Sequence, residues 1–408
     1  MSAAILRGQQ RVFAHRPFVL FWVSRLLSGG SNHFLAVAVG WQLYDLTGDP
    51  LDLGLVGLAH FVPTFALTLL VGQVADRSDR RLVIATCRGV QLVVVGGLAA
   101  SSLIGVTDRT MILSAVALVG AARAFEDPTM SAMLPGLVPR ELLSRATALA
   151  ATANQMARIG GPSVAGFLYL LGPSVVYVGT AAFLGVACVM AALIPPTPRS
   201  GAREPISTHS LLAGVTYVWN TPIVLGAISL DLFVVLLGGA TALLPAYARD
   251  ILETGPWGLG LLRAAPGLGA VAMSLYLARF VPTYPVGIAL LSTVSVFGLA
   301  TIIFGLSTSL ALSLGALVIM GAANAISVVI RHSLVQLWTP DARRGRVSAV
   351  NAMFTGTSNH LGDFESGVTA AWFGVVPAVV IGGVGTIVVA VLWALWFPQL
   401  RRLETLER

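Results

Sequence analysis

The sequence predicts an all-α membrane protein with twelve transmembrane helices in two pseudo-symmetric six-helix bundles. Three observations predict this fold class. Hydrophobic residues make up 56% of the 408 residues and charged residues only 11%, whereas soluble domains hold about 45–50% and about 25%. Apolar runs of about 20 residues, long enough to cross a bilayer, recur along the whole chain. The second half of the chain also repeats the first.

The apolar runs are predicted to be helices rather than strands of a membrane barrel. Lipid offers the backbone no hydrogen bonds, so only helices and closed barrels span a bilayer. Barrel strands are about 10 residues long and alternate polar with apolar side chains, and these runs do neither. The predicted spans are residues 18–44, 51–75, 82–106, 110–135, 145–171, 173–195, 222–248, 255–280, 284–307, 310–338, 347–373 and 375–397.

The two halves of the chain are related by an offset of about 201 residues. Shifted by this offset, residues 120–166 fall on residues 321–367 without a gap. Two halves of six spans in the same topology are typical of transporters built from parallel repeats, whose substrate site lies near the middle of the membrane. The matched residues include Gly120 with Gly321, Pro139 with Pro340, Arg145 with Arg346, Gly161 with Gly362 and Gly166 with Gly367.

The predicted domain organisation is two bundles, a linker and a tail. A Pro-rich polar stretch from Pro195 to Pro205 separates the halves. A short amphipathic segment at about 208–219 is predicted to lie on the membrane surface before span seven. The predicted parts are an N-terminal bundle at 1–195, a cytoplasmic linker at 196–221, a C-terminal bundle at 222–398 and a cytoplasmic tail at 399–408.

The arginines predict which side of the membrane holds the termini. An even number of spans puts both termini on one side, and eighteen of the 25 Arg residues, Arg88 among them, lie toward that side. Only Arg109 and Arg249 lie in the loops of the opposite side. The positive-inside rule therefore predicts cytoplasmic termini. It also accounts for the net charge of +7 without a nucleic-acid partner, because there is no compact basic domain.

Several classes of chemistry have no support in the sequence. The two cysteines, Cys87 and Cys188, both lie in apolar runs, which indicates buried thiols rather than a disulfide or a thiolate metal site. The phosphate-cradling pattern G-x-x-x-x-G-K-S/T does not occur. No stretch between the spans is long enough to form a soluble active site. We therefore expect no enzymatic activity, no cofactor and no metal centre.

Short motifs stand at the turns and inside several spans. A charged turn joins spans two and three, and the fourth, fifth and eighth spans carry Gly- and Pro-containing stretches. The motifs are Gly72-Gln73-Val74-Ala75-Asp76-Arg77-Ser78-Asp79-Arg80-Arg81, Ala124-Phe125-Glu126-Asp127-Pro128, Leu134-Pro135-Gly136-Leu137-Val138-Pro139, Arg158-Ile159-Gly160-Gly161-Pro162-Ser163-Val164-Ala165-Gly166, Leu244-Pro245, Gly260-Leu261-Leu262-Arg263-Ala264-Ala265-Pro266-Gly267 and Gly345-Arg346-Val347.

In these motifs the chain resembles the major facilitator superfamily over nearly its whole length. Within it, the chain most resembles the enterobactin-exporter-like and macrolide-efflux-like branch. The fifth-span stretch resembles the family's G-P-x-x-G-G antiporter motif, with Ala165 in place of the first paired glycine. The second copy of the charged turn is degraded to Arg279, which is common in the family.

The resemblance implies a secondary active transporter that alternates access between its bundles in the bacterial cytoplasmic membrane. It implies proton-driven export of an amphiphilic small molecule, such as a siderophore or a drug-like compound. The partners would be this substrate, protons and the lipid bilayer, and the protein would be a monomer. Alternatives are an importer, a lipid flippase or a metal-ion exporter of the same fold. Outside transport, the alternatives are a membrane enzyme and a non-transporting receptor.

Two adjacent acids in span four are candidates for proton coupling, because an ionisable group inside a span costs about 2.5–3.5 kcal/mol on insertion scales. Glu126 and Asp127 follow Arg123 by three and four residues, so the three are expected to share a face. One arginine leaves one carboxylate without a partner in this helix, and burial favours the uncharged acid. The alternative is a self-neutralising structural cluster. Pro128 is expected to kink or open the helix.

Span eleven supplies two further candidates for proton coupling, Asp363 and Glu365. Asp363 lies in the middle of the span, three residues after His360, which makes it a plausible proton site. The alternative is a structural ion pair. Its partner would be Arg158, Arg263 or Arg331. A structural role is favoured for Glu365.

Asp231 is the fifth candidate for proton coupling. It is the only ionisable residue of span seven, so its partner is expected on another span, with Arg25 as the candidate. The resemblance implies that helices one, four, seven and ten line the substrate cavity. Arg25 and Arg331 would attract an anionic substrate. The predicted cavity residues are Arg25, Asn32, His33, Arg123, Arg331 and His332.

The charged turn is expected to act as a conformational gate. The resemblance implies that Asp76 contacts the end of helix eleven, near Arg346, and locks the outward-facing state; the alternative is charge that only sets topology. Arg80 and Arg81 would join a surface network or bind anionic lipid headgroups. The predicted gating residues are Gly72, Asp76, Arg77, Arg80, Arg81 and Arg346, and the predicted helix-packing residues are Gly160, Gly161, Pro162 and Gly166.

Overall fold

The computed structural model describes residues 12–196, 215–279 and 285–405. Within these ranges it describes no side chains at residues 68–77, 341, 342 and 349. The contacts of Gly72, Asp76 and Arg77 and most of the predicted linker, including residues 208–214 of its amphipathic segment, therefore lie outside the described residues. The rest of that segment, residues 215–219, is helical. The gating roles predicted for Gly72, Asp76 and Arg77 stay predictions.

The described residues contain twelve long helical segments and no β-strand, in agreement with the predicted all-α membrane fold. Eight of the segments are long and apolar enough to cross a membrane. The remaining four, α1, α4, α5 and α11, are of similar length but contain more polar residues. The helices are α1 Arg16–Thr47, α2 Pro50–Arg77, α3 Arg80–Leu103, α4 Arg109–Met133, α5 Leu143–Leu168, α6 Pro173–Ala192, α7 Pro222–Leu237, α8 Gly255–Arg279, α9 Val286–Leu306, α10 Leu310–Leu337, α11 Asp341–Phe373 and α12 Val375–Trp396.

Local chemistry explains where several helices begin. The side chains of Asp79 and Asp108 accept hydrogen bonds from the backbone N–H groups of Arg81 (3.1 Å) and Met111 (2.7 Å), so they cap the starts of α3 and α4. Gly172 and Gly374 form the α5–α6 and α11–α12 turns with φ of 111° and 91°. Only glycine adopts such angles readily, which explains why the two repeats use it at corresponding turns.

Helix α4 is continuous through its internal proline, whereas α7 ends where two glycines follow it. Helix α4 continues through Pro128, so the local opening expected there is not observed. Helix α7 ends at Leu237, and the chain goes on through two glycines and short helical turns to Ile251. A side chain at the second of these glycines, Gly239, would come within 2.6 Å of the Gly362 carbonyl of α11. The break in α7 thus allows a close contact with α11.

The chain separates into two compact units. The first comprises Met1–Leu46 and Ala59–Pro205, and the second comprises Thr47–Leu58 and Ile206–Arg408. In the first unit α3 packs against α4 and α6; in the second, α9 packs against α10 and α12. These are corresponding helices of the two halves, so the sequence repeat is also a repeat of packing.

The start of α2 belongs to the second unit rather than to the first. Gly54 and Gly57 lie against α11, where a Cβ atom added to Gly54 would come within 2.9 Å of the Gly367 Cα atom. Hydropathy carries no information about this contact. The bundle bounds predicted from the sequence, 1–195 and 222–398, stay predictions.

Glycines matched by the repeat make matched close contacts. A Cβ atom at Gly161 would lie 2.8 Å from the Cβ atom of His33 in α1, and one at Gly362 would lie 2.7 Å from the Val235 carbonyl in α7. Gly160 is different, because a Cβ atom there would meet no described atom within 4 Å. Pro162 and Gly166 are buried in α5. Gly161 rather than Gly160 is therefore the close-packing position of the predicted pair.

Candidate functional site

A buried ion pair lies at the centre of the first unit. Arg88 of α3 donates from Nε to Glu126 Oε1 of α4 over 2.9 Å, and the two side chains are 0% and 3% exposed. The Glu126 carboxylate also accepts hydrogen bonds from Gln91 Nε2 (2.7 Å) and Ser28 Oγ (2.8 Å). The Arg88 guanidinium also binds the Ser24 hydroxyl and, over 2.9 Å, the Ala187 carbonyl. We call these six residues the Arg88–Glu126 network.

The Arg88–Glu126 network corrects two expectations from the sequence. Arg88 was counted among the cytoplasmic charges, but it is buried and its charge is balanced by Glu126. Glu126 was placed on one face with Asp127, but its side chain points into the unit while that of Asp127 is 66% exposed. The partners of Glu126 come from α1 and α3, and a pattern read within α4 alone cannot show them.

A second, more exposed set of charges lies on the first unit. Asp127 pairs with Arg123 over 3.6 Å within α4. Arg25 of α1 donates from Nε to Asn154 Oδ1 of α5 over 3.0 Å and interacts electrostatically with Asp127. Arg158, one turn beyond Asn154, is exposed. We call Arg25, Arg123, Asp127, Asn154 and Arg158 the polar face. It carries three cations and one anion.

The second unit contains a comparable ion pair between α7 and α10. Asp231 Oδ1 pairs with Arg331 Nη1, and Asp231 Oδ2 accepts a hydrogen bond from Thr355 Oγ1 of α11 over 3.0 Å. Arg331 also donates from Nε to the Ser327 carbonyl over 3.2 Å. The partner of Asp231 is thus Arg331 and not the predicted Arg25. Because Arg331 is buried and paired, it is poorly placed to attract an anionic substrate by itself.

Asp363 lies where three helices of the second unit meet. A Cβ atom added to Gly57 of α2 would lie 2.7 Å from the Asp363 Cβ atom, so the α2 backbone lies directly against Asp363. Asp363 also interacts electrostatically with Arg263 of α8. The buried Nε atom of Arg263 has no hydrogen-bond partner within the described residues. Of the three arginines considered from the sequence, Arg263 is the one that interacts electrostatically with Asp363.

The other predicted site residues occupy varied surroundings. Glu365 accepts a hydrogen bond from Thr369 Oγ1 over 2.8 Å within α11. Asn32 and His33 are half-buried in α1, and His332 is exposed. The described residues hold no group of three His, Cys, Asp or Glu side chains placed to bind a metal ion. The transport roles predicted for these residues stay predictions.

The described part of the predicted gate is held by hydrogen bonds to backbone carbonyls and by one local ion pair. Arg80 donates from Nη1 to the Ala132 carbonyl at the end of α4 over 2.9 Å. Arg81 pairs with Asp79 over 2.9 Å and reaches the Ile194 carbonyl at 3.5 Å. These contacts fasten the start of α3 to the ends of α4 and α6. Arg346, near the start of α11, is exposed.

The fold is shared with solved transporter structures. Similar chains include the nucleoside transporter NupG (TM-score 0.70, 15% identity, covering 94% of this chain and 98% of that one). A second is a bacterial homologue of the human lysosomal transporter Spinster in an inward-facing conformation (TM-score 0.73, 15% identity, covering 95% of this chain and 97% of that one). A third is a D-xylose-proton symporter (TM-score 0.73, 13% identity, covering 95% of this chain and 98% of that one). At these identities the likeness shows the fold alone.

Sequence relatives are closer than these structures. The chain is 27% identical over 392 residues to enterobactin exporters EntS of Escherichia coli O1:K1 / APEC and of Shigella boydii serotype 18, which covers 95% of this chain and 93% of the relatives. The family model described as transmembrane secretion effector matches residues 10–407. The chain is therefore a multi-pass membrane transporter and belongs to the transmembrane secretion effector family of the major facilitator superfamily.

Proposed function

We propose that the protein exports an amphiphilic, anionic small molecule by alternating access, driven by protons that flow inward. The observation that carries this proposal is the position of Asp363. Its carboxyl group interacts with a buried arginine that retains an unpaired N–H, and the backbone of α2 lies against it. A protonatable group in such a place is costly in a membrane and calls for a functional reason.

The proposed coupling step is a change of charge at Asp363. A proton that enters from outside neutralises the carboxylate and weakens its attraction to Arg263. The balance between two packings of α2, α8 and α11 then shifts. A bound proton favours the packing in which Asp363 binds the proton more tightly. The unpaired Arg263 Nε–H is the group that gains or loses a partner in this step.

The substrate proposal depends on the polar face of the first unit. Arg25, Arg123 and Arg158 outnumber the single acid Asp127 there, and Arg25 is held by Asn154 and lies over the Phe21 ring at 5.9 Å. Guanidinium groups bind planar or chelating oxygen anions through paired hydrogen bonds. The relatives named as enterobactin exporters support a siderophore as the first substrate to test.

The membrane location and orientation complete the proposal. We place the chain in the bacterial inner membrane with both termini in the cytoplasm, as the distribution of arginine predicts. Arg88 no longer contributes to that asymmetry, since it is buried with Glu126. The remaining arginines still lie mainly on the side of the termini. Export then carries substrate from this side to the opposite one.

Transport in proteoliposomes tests the proposal. Purified protein is reconstituted with an imposed pH gradient, and accumulation and counterflow are measured for a catecholate siderophore, a macrolide and a fluorescent cation. Asp363→Asn is compared with Asp127→Asn. The matched control is Glu365→Gln, which neutralises an acid of the same helix that bonds locally to Thr369.

We expect Asp363→Asn to abolish gradient-driven accumulation while exchange without a gradient survives. Glu365→Gln is expected to retain both activities. If Asp363→Asn still concentrates substrate, this acid is structural and α4 becomes the candidate for proton coupling. Flux that ignores the pH gradient in every variant would exclude proton antiport.

A further inference from the structure

The second unit contains a cleft that the proposed transport mechanism does not use. Its volume is about 470 Å³. It lies between the segment that precedes α7 and the first turns of α11. Six residues line it: Thr216, Tyr217, Asn220, Thr221, Arg343 and Arg346. Two of these are cations, all of the others carry a group that can form hydrogen bonds, and none is acidic.

One of the two arginines is held in place before any ligand binds. The guanidinium carbon of Arg343 lies 5.4 Å from the centre of the Tyr217 ring. The Tyr217 hydroxyl in turn donates to the Trp338 carbonyl over 2.7 Å, at the end of α10. A cation over an aromatic face keeps its N–H groups available for an anion. Ordering of Arg343 therefore costs little when a ligand arrives.

The second arginine brings another positive charge to the same cleft. Arg346 follows Arg343 by three residues on α11, so the two share a face. Two like charges at this spacing repel each other unless an anion lies between them. Within the described residues lining the cleft, no carboxylate fulfils this role. The described lining of the cleft therefore carries a net positive charge.

The surroundings indicate the level of the cleft relative to the bilayer. Trp219, next to the lining residues, is 72% exposed. Exposed tryptophans favour the interface between headgroups and acyl chains. Arg343, Arg344 and Arg346 follow the pattern of basic residues that face anionic headgroups. A ligand in the cleft would therefore meet both arginines at the depth of lipid phosphates.

We propose that this cleft binds a phosphate group, held by Arg343 and Arg346 and oriented by the Asn220 and Thr221 side chains. The phosphate can belong to an anionic phospholipid headgroup or to a small soluble phosphate ester. Guanidinium groups are suited to both, since they bind phosphate oxygens through paired, charge-assisted hydrogen bonds.

Binding measurements on the full chain in detergent test the proposal and distinguish the two sources. The probes are short-chain phosphatidylglycerol, short-chain phosphatidylcholine, glycerol phosphate and inorganic phosphate. The cleft variant is Arg343→Gln with Arg346→Gln. Arg343→Gln alone is also measured, and its matched control is Arg344→Gln, which likewise removes one positive charge from an exposed position of the same helix but outside the lining. A second variant is Asn220→Leu. It keeps both arginines and changes only Asn220, which is exposed.

We expect the double variant to weaken binding of the preferred probe by about tenfold or more, since it removes two charge-assisted contacts. Arg344→Gln should bind as the wild type does, and Asn220→Leu should bind more weakly. Phosphatidylglycerol bound more tightly than glycerol phosphate identifies a lipid. Equal binding of the two identifies a soluble phosphate ester. The proposal would be overturned if the double variant bound every probe as tightly as the wild type does. It would also be overturned if Arg344→Gln lost as much affinity as the double variant.

Discussion

At the scale of single residues, the Arg88–Glu126 network shows how this protein accommodates charge inside a bundle. Taking two ions out of water costs several kcal/mol for each, and their attraction offsets this only when the remaining hydrogen bonds are made. Here Gln91 and Ser28 bind the carboxylate, and Ser24 and the Ala187 carbonyl bind the guanidinium. Four helices meet at these six residues, so we assign the network a structural role.

Replacement of one partner of this pair is expected to destabilise the first unit strongly. Arg88→Met leaves Glu126 buried without its cation, which costs about 3–5 kcal/mol in comparable buried pairs. The double replacement Arg88→Met with Glu126→Gln removes both charges and should recover much of that loss. Thermal unfolding in detergent of the wild type, Arg88→Met, Glu126→Gln and the double variant measures the coupling between the two sites. Equal loss in the single and double variants would contradict this account.

At the scale of helices, the repeat is explained by close contacts. Gly120 lies against the His60 carbonyl of α2, where a Cβ atom would be 2.9 Å away, and its repeat partner Gly321 lies against the Pro266 carbonyl of α8. Gly161 and Gly362 form a second matched pair, against α1 and α7. Without a hydrophobic driving force between helices in lipid, such contacts supply much of the packing energy. The glycines recur because the same helix pairs approach closely in each half.

The adjacent glycines of α5 allow a paired test of this explanation. Gly161→Ala places a methyl group 2.8 Å from the His33 Cβ atom and is expected to cost about 1–3 kcal/mol through overpacking. Gly160→Ala meets no described atom within 4 Å. It should be neutral or stabilising by about 0.5–1 kcal/mol, since alanine favours helix. Unfolding midpoints of the two variants, compared with the wild type, provide the measurement, and a larger loss at Gly160 would reverse the assignment.

At the scale of the whole molecule, the basic charge of the chain is a property of its topology. Exposed arginines gather at the ends of helices on the side of the termini, for example at the start of α11 and after α12. We expect these arginines to set the orientation during insertion, because positive loops are retained in the cytoplasm. On this prediction, the net charge of +7 reflects the cytoplasmic face of a membrane protein.

Cysteine labelling tests the predicted orientation. In a background with Cys87 and Cys188 replaced by serine, Val106→Cys in the exposed α3–α4 loop should react with an impermeant maleimide on intact spheroplasts. Arg402→Cys after α12 should react only once the membrane is opened. Both positions are exposed, so differences in reactivity report the side of the membrane. The opposite pattern would place the termini outside.

The sequence predicted the helices and the acids inside them, but it did not predict which side chains these acids contact on other helices. The twelve spans and the α5–α6 and α11–α12 turns were predictable because hydropathy and turn chemistry are local properties of the chain. The acids Glu126, Asp231 and Asp363 stood out for the same reason, since an ionisable residue in an apolar run is visible by itself. Their partners were not visible, and Arg88 was misplaced because it lies near a predicted span end.

The sequence by itself therefore determined the class of the protein, its twelve spans and the repeat of its halves, because burial in lipid acts on each segment independently. Only the tertiary structure decided which charges meet. Glu126 binds Arg88, Asp231 binds Arg331, and Asp363 interacts electrostatically with Arg263. The physical reason is rotational: a helix that is apolar on every side crosses a membrane equally well in any orientation about its axis. Packing against neighbouring helices selects one orientation, and with it the partner of each buried charge.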